Sequence, residues 1–165
     1  MAIERRMLGI FVLLLAWANS QSTPITQMPQ NTLQNFTQIG SKLYYIEQSS
    51  KSNWFLAADK CRQLNGTLAN LVDEEELLEL SRKLNPSSSY WLGVNDLAIQ
   101  GVYTAQATGY EAEFLNWAAG QPDNIGGKEH CVELWYDLNV FRMNDASCEI
   151  PFLFICEGHE KSNMC

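Results

Sequence analysis

The apolar positions of this chain fall into successive textures. From Leu8 to Trp17 they form an unbroken run, preceded by Arg5 and Arg6 and followed by Ala18-Asn19-Ser20. A basic start, a short apolar stretch and small residues at the cleavage positions mark a secretory signal, so residues 1–20 are expected to be removed and the mature protein to be secreted. The run is shorter than the roughly 20 apolar residues a membrane span needs, and no comparable run follows. No membrane span is expected. Residues 21–38 are rich in Gln, Thr, Asn and Pro. That composition cannot bury enough surface to order itself and predicts a flexible arm.

The pattern then becomes that of a folded domain, residues 39–157, followed by a polar tail, 158–165. Leu43-Tyr44-Tyr45-Ile46 predicts a strand. Trp54, Ala58, Cys61 and Leu64 share one helical face, with Ser52 or Asn53 as the N-cap and Gly66 beyond the C-terminus. A second helix is predicted to start at Asp73, with Glu76 reaching back to complete the cap and Val72 packing on Leu77. Its run of glutamates suits the positive end of a helix dipole. From Tyr90 the texture changes to short β runs, Tyr90 to Val94, Cys131 to Tyr136 and Phe152 to Cys156, separated by long loops bearing Gly, Asn and Pro. The fold class is therefore α+β. The segment from Ala105 to Lys128 is long for a structureless connection, and such segments in compact domains are usually functional or disordered.

Charge narrows the partners. The chain carries −8, and loss of a signal with net +1 makes the mature form −9. Nucleic acid and anionic membranes need clustered Lys or Arg, so neither is expected as a partner. All five cysteines follow the signal, and secretion makes disulfides the default; four of them allow three pairings, which the residues alone leave open. No Cys-x-x-Cys or His-x-x-x-His is present, which argues against zinc. His130 and His159 have no positioned nucleophile beside them in sequence, and both are expected at the surface, without catalysis. Trp91, Trp117 and Trp135 lie in apolar runs and are expected in the core. Asn35-Phe36-Thr37 and Asn65-Gly66-Thr67 are acceptor sequons for N-glycans, at Asn35 and Asn65.

The candidate chemistry lies between Gln121 and Cys148. Gln121, Asp123, Glu129, Asn144 and Asp145 offer three carboxylates and two amide oxygens. Ca²⁺ takes roughly 6–8 oxygen ligands in a flexible shell, so such a set would hold it and leave positions open. Trp91-Leu92-Gly93, Asn116-Trp117, Gln121-Pro122-Asp123, Glu129-His130-Cys131-Val132, Asn144-Asp145 and Cys148, with Cys61 behind Trp54 and Phe154-Ile155-Cys156 at the end, resemble the C-type lectin pattern in order and spacing over about Ile39 to Glu157. The wording near Asn95-Asp96-Leu97-Ala98 resembles the small secreted lectins of insects.

The resemblance implies two helices on small antiparallel sheets with a long calcium-binding loop. It also implies disulfides Cys61 with Cys156 and Cys131 with Cys148, the first worth about 4–5 kcal/mol in the chain-entropy model. A cis Gln121-Pro122 bond is implied, with Gln121 and Asp123 facing one ion, and a calcium shell completed by two sugar hydroxyls. The Gln-Pro-Asp order resembles the galactose type, so terminal galactose or N-acetylgalactosamine glycans are the implied ligands. Ile125 stands where galactose binders commonly carry Trp. An auxiliary calcium site would use Asp96, but Gln100 and Asn124 replace acidic residues there. Cys165 is left over and offers a disulfide-linked homodimer. The alternatives are a calcium-independent protein-binding module of the same fold and a hydrolase using Asp123 and Glu129, which the resemblance disfavours.

Overall fold

A computed structural model describes residues 35–159. The signal, residues 21–34 of the arm and Cys165 lie outside the described residues. The domain opens with β1 (Thr37–Ile39) turning into β2 (Lys42–Ile46). Thus β1 takes up Thr37 and Gln38 from the segment expected to be an arm, and Phe36 packs against the buried cluster behind it. Pairing with β2 satisfies the backbone of a segment whose side chains give little burial.

Helix α1 (Trp54–Gln63) is capped by Asn53, whose side chain accepts from Leu56 N at 2.9 Å. Ser52, the other candidate, instead bridges to Phe152. Trp54, Ala57, Ala58 and Cys61 form the buried face. The chain reverses at Asn65, in the left-handed region with φ 62°, and not at Gly66. Gly66 opens β3 (Gly66–Leu68), where an added Cβ would lie 2.4 Å from the Glu157 carbonyl oxygen, so close strand packing explains the glycine.

Helix α2 (Glu74–Ser81) starts as expected at Asp73, which accepts from Glu76 N at 2.8 Å. Glu76 does reach back, but to Val72 N at 2.6 Å, and it also meets the Tyr44 hydroxyl and Lys42 Nζ. Lys42 continues to the Asn70 carbonyl and Glu157, so one ammonium ties β2, the α2 entry and the last strand together. Val72 is partly exposed while Leu77 and Leu80 are buried, and the polar network holds the α2 entry in place.

The remaining strands are β4 (Tyr90–Asn95), β5 (Thr104–Ala105), β6 (Cys131–Asp137), β7 (Val140–Ala146) and β8 (Leu153–Gly158). The sheet order is β1-β2-β8-β4-β6-β7, with β3 on β8 and β5 on β4. Most pairs are antiparallel. The exception is β4 with β8, which run parallel through Tyr90–Leu153 and Trp91–Phe154, so the sheet is mixed and not wholly antiparallel. Parallel neighbours need a long crossover, and the β5–β7 region supplies it. Disulfides join Cys61 to Cys156 and Cys131 to Cys148. The first ties α1 to β8 and the second ties the start of β6 to the chain leaving β7. Trp91 is fully buried and donates from Nε1 to the Ser52 and Ile150 carbonyls. Trp117 and Trp135 are only partly buried. Among the described residues no helix is long and apolar enough to cross a membrane.

Candidate metal centre

The loop before β6 is fastened at its base to the outer edge of β7. Met143 N donates to the Asn116 carbonyl and Ala118 N to the Met143 carbonyl, each at 2.8 Å. Trp117 meets Tyr103 edge to face with ring centroids 4.8 Å apart. Past this anchor the Gln121-Pro122 bond is cis, and Asn124 takes a left-handed conformation that favours Asn over bulkier residues. A short 3-10 turn, Ile125–Gly127, then brings Glu129 back. The Asn124 side chain accepts from Glu129 N at 3.0 Å and holds that return closed.

Asp145, on β7, is wholly buried. One of its oxygens accepts from Asp123 N at 3.1 Å, and the other from Asn124 N at 2.8 Å and the Tyr103 hydroxyl at 3.4 Å. Asp145 therefore grips the backbone of the loop above it. Carboxylate oxygens of Asp123, Glu129 and Asp145 lie within 4.8 Å of one another. Two oxygens bound on opposite sides of one Ca²⁺ would be about 4.6–5.2 Å apart, so all three fit a single ion of that size. From Asp145 through Glu129 to Asp123 the set passes from buried to exposed, which puts the solvent side at Asp123. Burial raises the Glu129 pKa above the ordinary carboxylate value; the neighbouring Asp145 and Asp123 charges add to the rise, while donation from Ile125 N opposes it. A divalent cation would relieve that repulsion.

The two amides are placed differently from the three acids. Gln121 Oε1 accepts from Asp123 N at 3.1 Å, which uses one of its lone pairs on the loop itself. Asn144 donates from Nδ2 to Glu133 Oε1 at 3.1 Å, which turns its nitrogen toward Glu133 and leaves its oxygen for another partner.

A family model for the lectin C-type domain matches residues 50–158. The chain belongs to the C-type lectin family. It is similar to C-type lectin 37Db of Drosophila melanogaster, 46% identical over 90% of this chain and 95% of that one. Perlucin of Haliotis laevigata is 39% identical, over 68% of this chain and 74% of its own length. Among solved structures, the mouse scavenger receptor C-type lectin carbohydrate-recognition domain superposes with a TM-score of 0.69 at 25% identity. That match covers 81% of this chain and 99% of that domain.

In this C-type lectin two residues not singled out from sequence support the site, Glu133 through Asn144 and Tyr103 through Asp145. Glu133 is buried on β6, where burial raises its carboxyl pKa against the lowering effect of Ser89 and Asn144; its second oxygen has no partner among the described residues. The available signal was a lone acid in the apolar run Cys131 to Trp135. Tyr103 gave no signal, since its hydroxyl reaches Asp145 across 42 positions of sequence. His130 was expected at the surface. Instead its Nδ1 lies 2.9 Å from Asp96, and it is half-buried. The other Asp96 oxygen accepts from Gly101 N at 2.7 Å. Both oxygens of the acid expected to serve an auxiliary calcium site are thus engaged by the protein.

Proposed function

We propose that this protein is a secreted, calcium-dependent lectin that binds terminal galactose or N-acetylgalactosamine glycans without catalysis. One observation supports the reading above the rest: carboxylate oxygens from the loop, from its return and from β7 converge within the span of one directly coordinated Ca²⁺. Asp145 and the Cys131–Cys148 disulfide keep those elements together. Asp123, Glu129 and Asp145 would hold the ion, with Gln121 and Asn144 offering amide oxygens at its edge. Bound calcium would supply coordination positions for two neighbouring sugar hydroxyls. Around it, the exposed Asp123 carboxylate would accept a hydrogen bond from a sugar hydroxyl, and the Gln121 amide would supply a donor.

The order of amide then acid along Gln121-Pro122-Asp123 supports the galactose-type reading. Ile125, 67% exposed, would offer a sugar ring an aliphatic contact in place of an aromatic face, giving weaker stacking and looser selectivity. The calcium-independent protein-binding reading is less well supported, because all three carboxylates are retained and gathered. Asn65, exposed at the reversal after α1, and Asn35, exposed at the start of the described domain, are proposed N-glycan sites, and Cys165 is proposed to link two chains. Weak single sites would then gain from multivalency.

A glycan array probed with calcium and with chelator tests the reading, followed by assay of the bound glycans for turnover. Calcium-dependent retention of galactose-terminated glycans, released intact, is the expected result. Retention unchanged by chelator would overturn the calcium dependence, and cleaved glycans would overturn the absence of catalysis.

A further inference from the structure

A second concavity lies between the C-terminal end of α2 and the β6–β7 hairpin, with a volume of about 390 Å³. Small-molecule sites run from about 300 to 1,000 Å³ and are mostly apolar, with a few polar groups that orient the ligand. This one has that composition. Leu77, Leu84, Val140 and Phe141 are in its lining, and the charged residues there are Arg82 and Arg142. None of Asp123, Glu129 or Asp145 takes part in it.

The charges are unusual for this molecule. The chain carries −8, yet no carboxylate lines the groove. Among the described residues neither guanidinium has a carboxylate partner; the ion pairs use Lys42, Arg62 and His130. The other end of α2 shows the contrast, with a concavity lined by Asp73, Glu75, Glu76 and Glu79. Arg82, the C-cap of α2, is accounted for in part by the negative end of the helix dipole. Arg142 comes from the middle of β7 and has no such reason to face the same groove. The surrounding surface is apolar as well: Leu78, Tyr136 and Val140 are all exposed. Arginine stays charged and presents planar paired donors that match a carboxylate.

We propose that this groove binds small amphiphilic carboxylates, with an aliphatic tail against Leu77, Leu84, Val140 and Phe141 and the carboxylate held by Arg82 and Arg142. The site is independent of calcium and of the sugar site: it sits at the turn end of the β6–β7 hairpin, and Asp145 lies toward the other end.

Calorimetric titration of the full chain with laurate, in chelator, tests this directly. Acetate serves as the headgroup without a tail and dodecyltrimethylammonium as the tail with the opposite charge. Saturable binding of one laurate per chain is expected, with neither control binding. Arg82→Ala and Arg142→Ala should each weaken laurate by about tenfold, and Val140→Ser should weaken it through the tail. Asp145→Ala, which is aimed at the calcium site, should leave laurate binding unchanged, so failure of the lectin reading and failure of this one are separable. No saturable laurate binding, equal binding of the cationic amphiphile, or unchanged affinity in the double arginine variant would each overturn the proposal. Circular dichroism of the arginine variants checks that a loss of binding is not a loss of fold; both side chains reach solvent, so native spectra are expected.

Discussion

Glu47 and Glu129 are both half-buried glutamates in loops, and they experience opposite surroundings. Burial alone raises the pKa of each. At Glu47 that effect is outweighed by donation from Ser49 and Ser50 N–H, the Tyr45 hydroxyl and the Ser49 hydroxyl, and the carboxyl is brought down to about 2. Gln48 N donates to it as well, at 3.0 Å. Glu129 has one backbone donor, Ile125 N, and two acidic neighbours, so its pKa stays raised. The fold completes the shell of Glu47 with its own groups and leaves that of Glu129 short of positive charge. A carboxylate that serves architecture and one proposed to take an external cation are distinguished by donor supply, not by depth.

The largest break in this contrast should come from Asp145→Ala. It removes a proposed ligand, so calcium affinity measured by calorimetry should fall by more than the roughly 10–100-fold typical of changes behind a metal's ligands. It also leaves Asn124 N and the Tyr103 hydroxyl without their acceptor, while Asp123 N keeps only Gln121 Oε1, and the calcium-free fold should lose about 1–3 kcal/mol. Next, Glu47→Gln should lower stability by about 1–2 kcal/mol in denaturant titration and leave calcium affinity unaltered. Glu129→Gln should do the reverse, weakening calcium binding while raising stability in chelator at neutral pH. If both glutamine variants moved stability in the same direction, the distinction between the two carboxylates would be wrong.

The pH dependence sharpens the same point. The Glu47 pKa is depressed, so its contribution is present above about 4.5 and is lost as the pH falls toward about 2. The Glu129 pKa is raised in the calcium-free protein, so its effect has the opposite sign: the fold is favoured while it is protonated, and that benefit is lost as the pH rises through its pKa. In chelator, the stability gap between Glu129→Gln and the parent protein should therefore widen with rising pH. A gap that is flat across that range would remove the repulsion argument. The smallest expected effects concern selectivity. Gln121→Glu with Asp123→Asn should shift inhibition several-fold toward mannose, and Ile125→Trp should raise galactose preference a few-fold through ring contact; hapten inhibition measures both.

Much of this was legible along the chain, for identifiable reasons. α1 and α2 announce themselves because apolar spacing and capping residues are local signals, and Asn53 and Asp73 act where such signals place them. β7 was not among the β runs that the apolar pattern marks. Its sequence, Val-Phe-Arg-Met-Asn-Asp-Ala, mixes charge with apolar residues, and its pairing with β6 from Cys131–Ala146 to Asp137–Val140 is a tertiary fact. The parallel β4–β8 contact joins segments about sixty positions apart in sequence, and no local pattern encodes the direction of approach. At the site the acids were legible as types at a family spacing. The use of Gln121 Oε1 within the loop, the His130–Asp96 pair and the Tyr103 hydroxyl on Asp145 depend on which backbone donors the folded loop brings near. Sequence alone does not order those distances.

The pairing of the domain's ends governs how it would carry load. The second strand of the opening hairpin, Lys42 to Ile46, lies beside β8, and Tyr44 faces Glu157, so the hairpin that opens the domain and the strand that closes it are neighbours about 5 Å apart. A force on the C-terminal end would peel β8 from its outer residues inward, first Gly158 from Gly66 and then Glu157 from Thr67 and Tyr44. The next residue is Cys156, and it is covalently bound to Cys61 in α1. Unzipping stops there, and further tension passes through the disulfide into the first helix, leaving the inner strands that shape the loop unloaded.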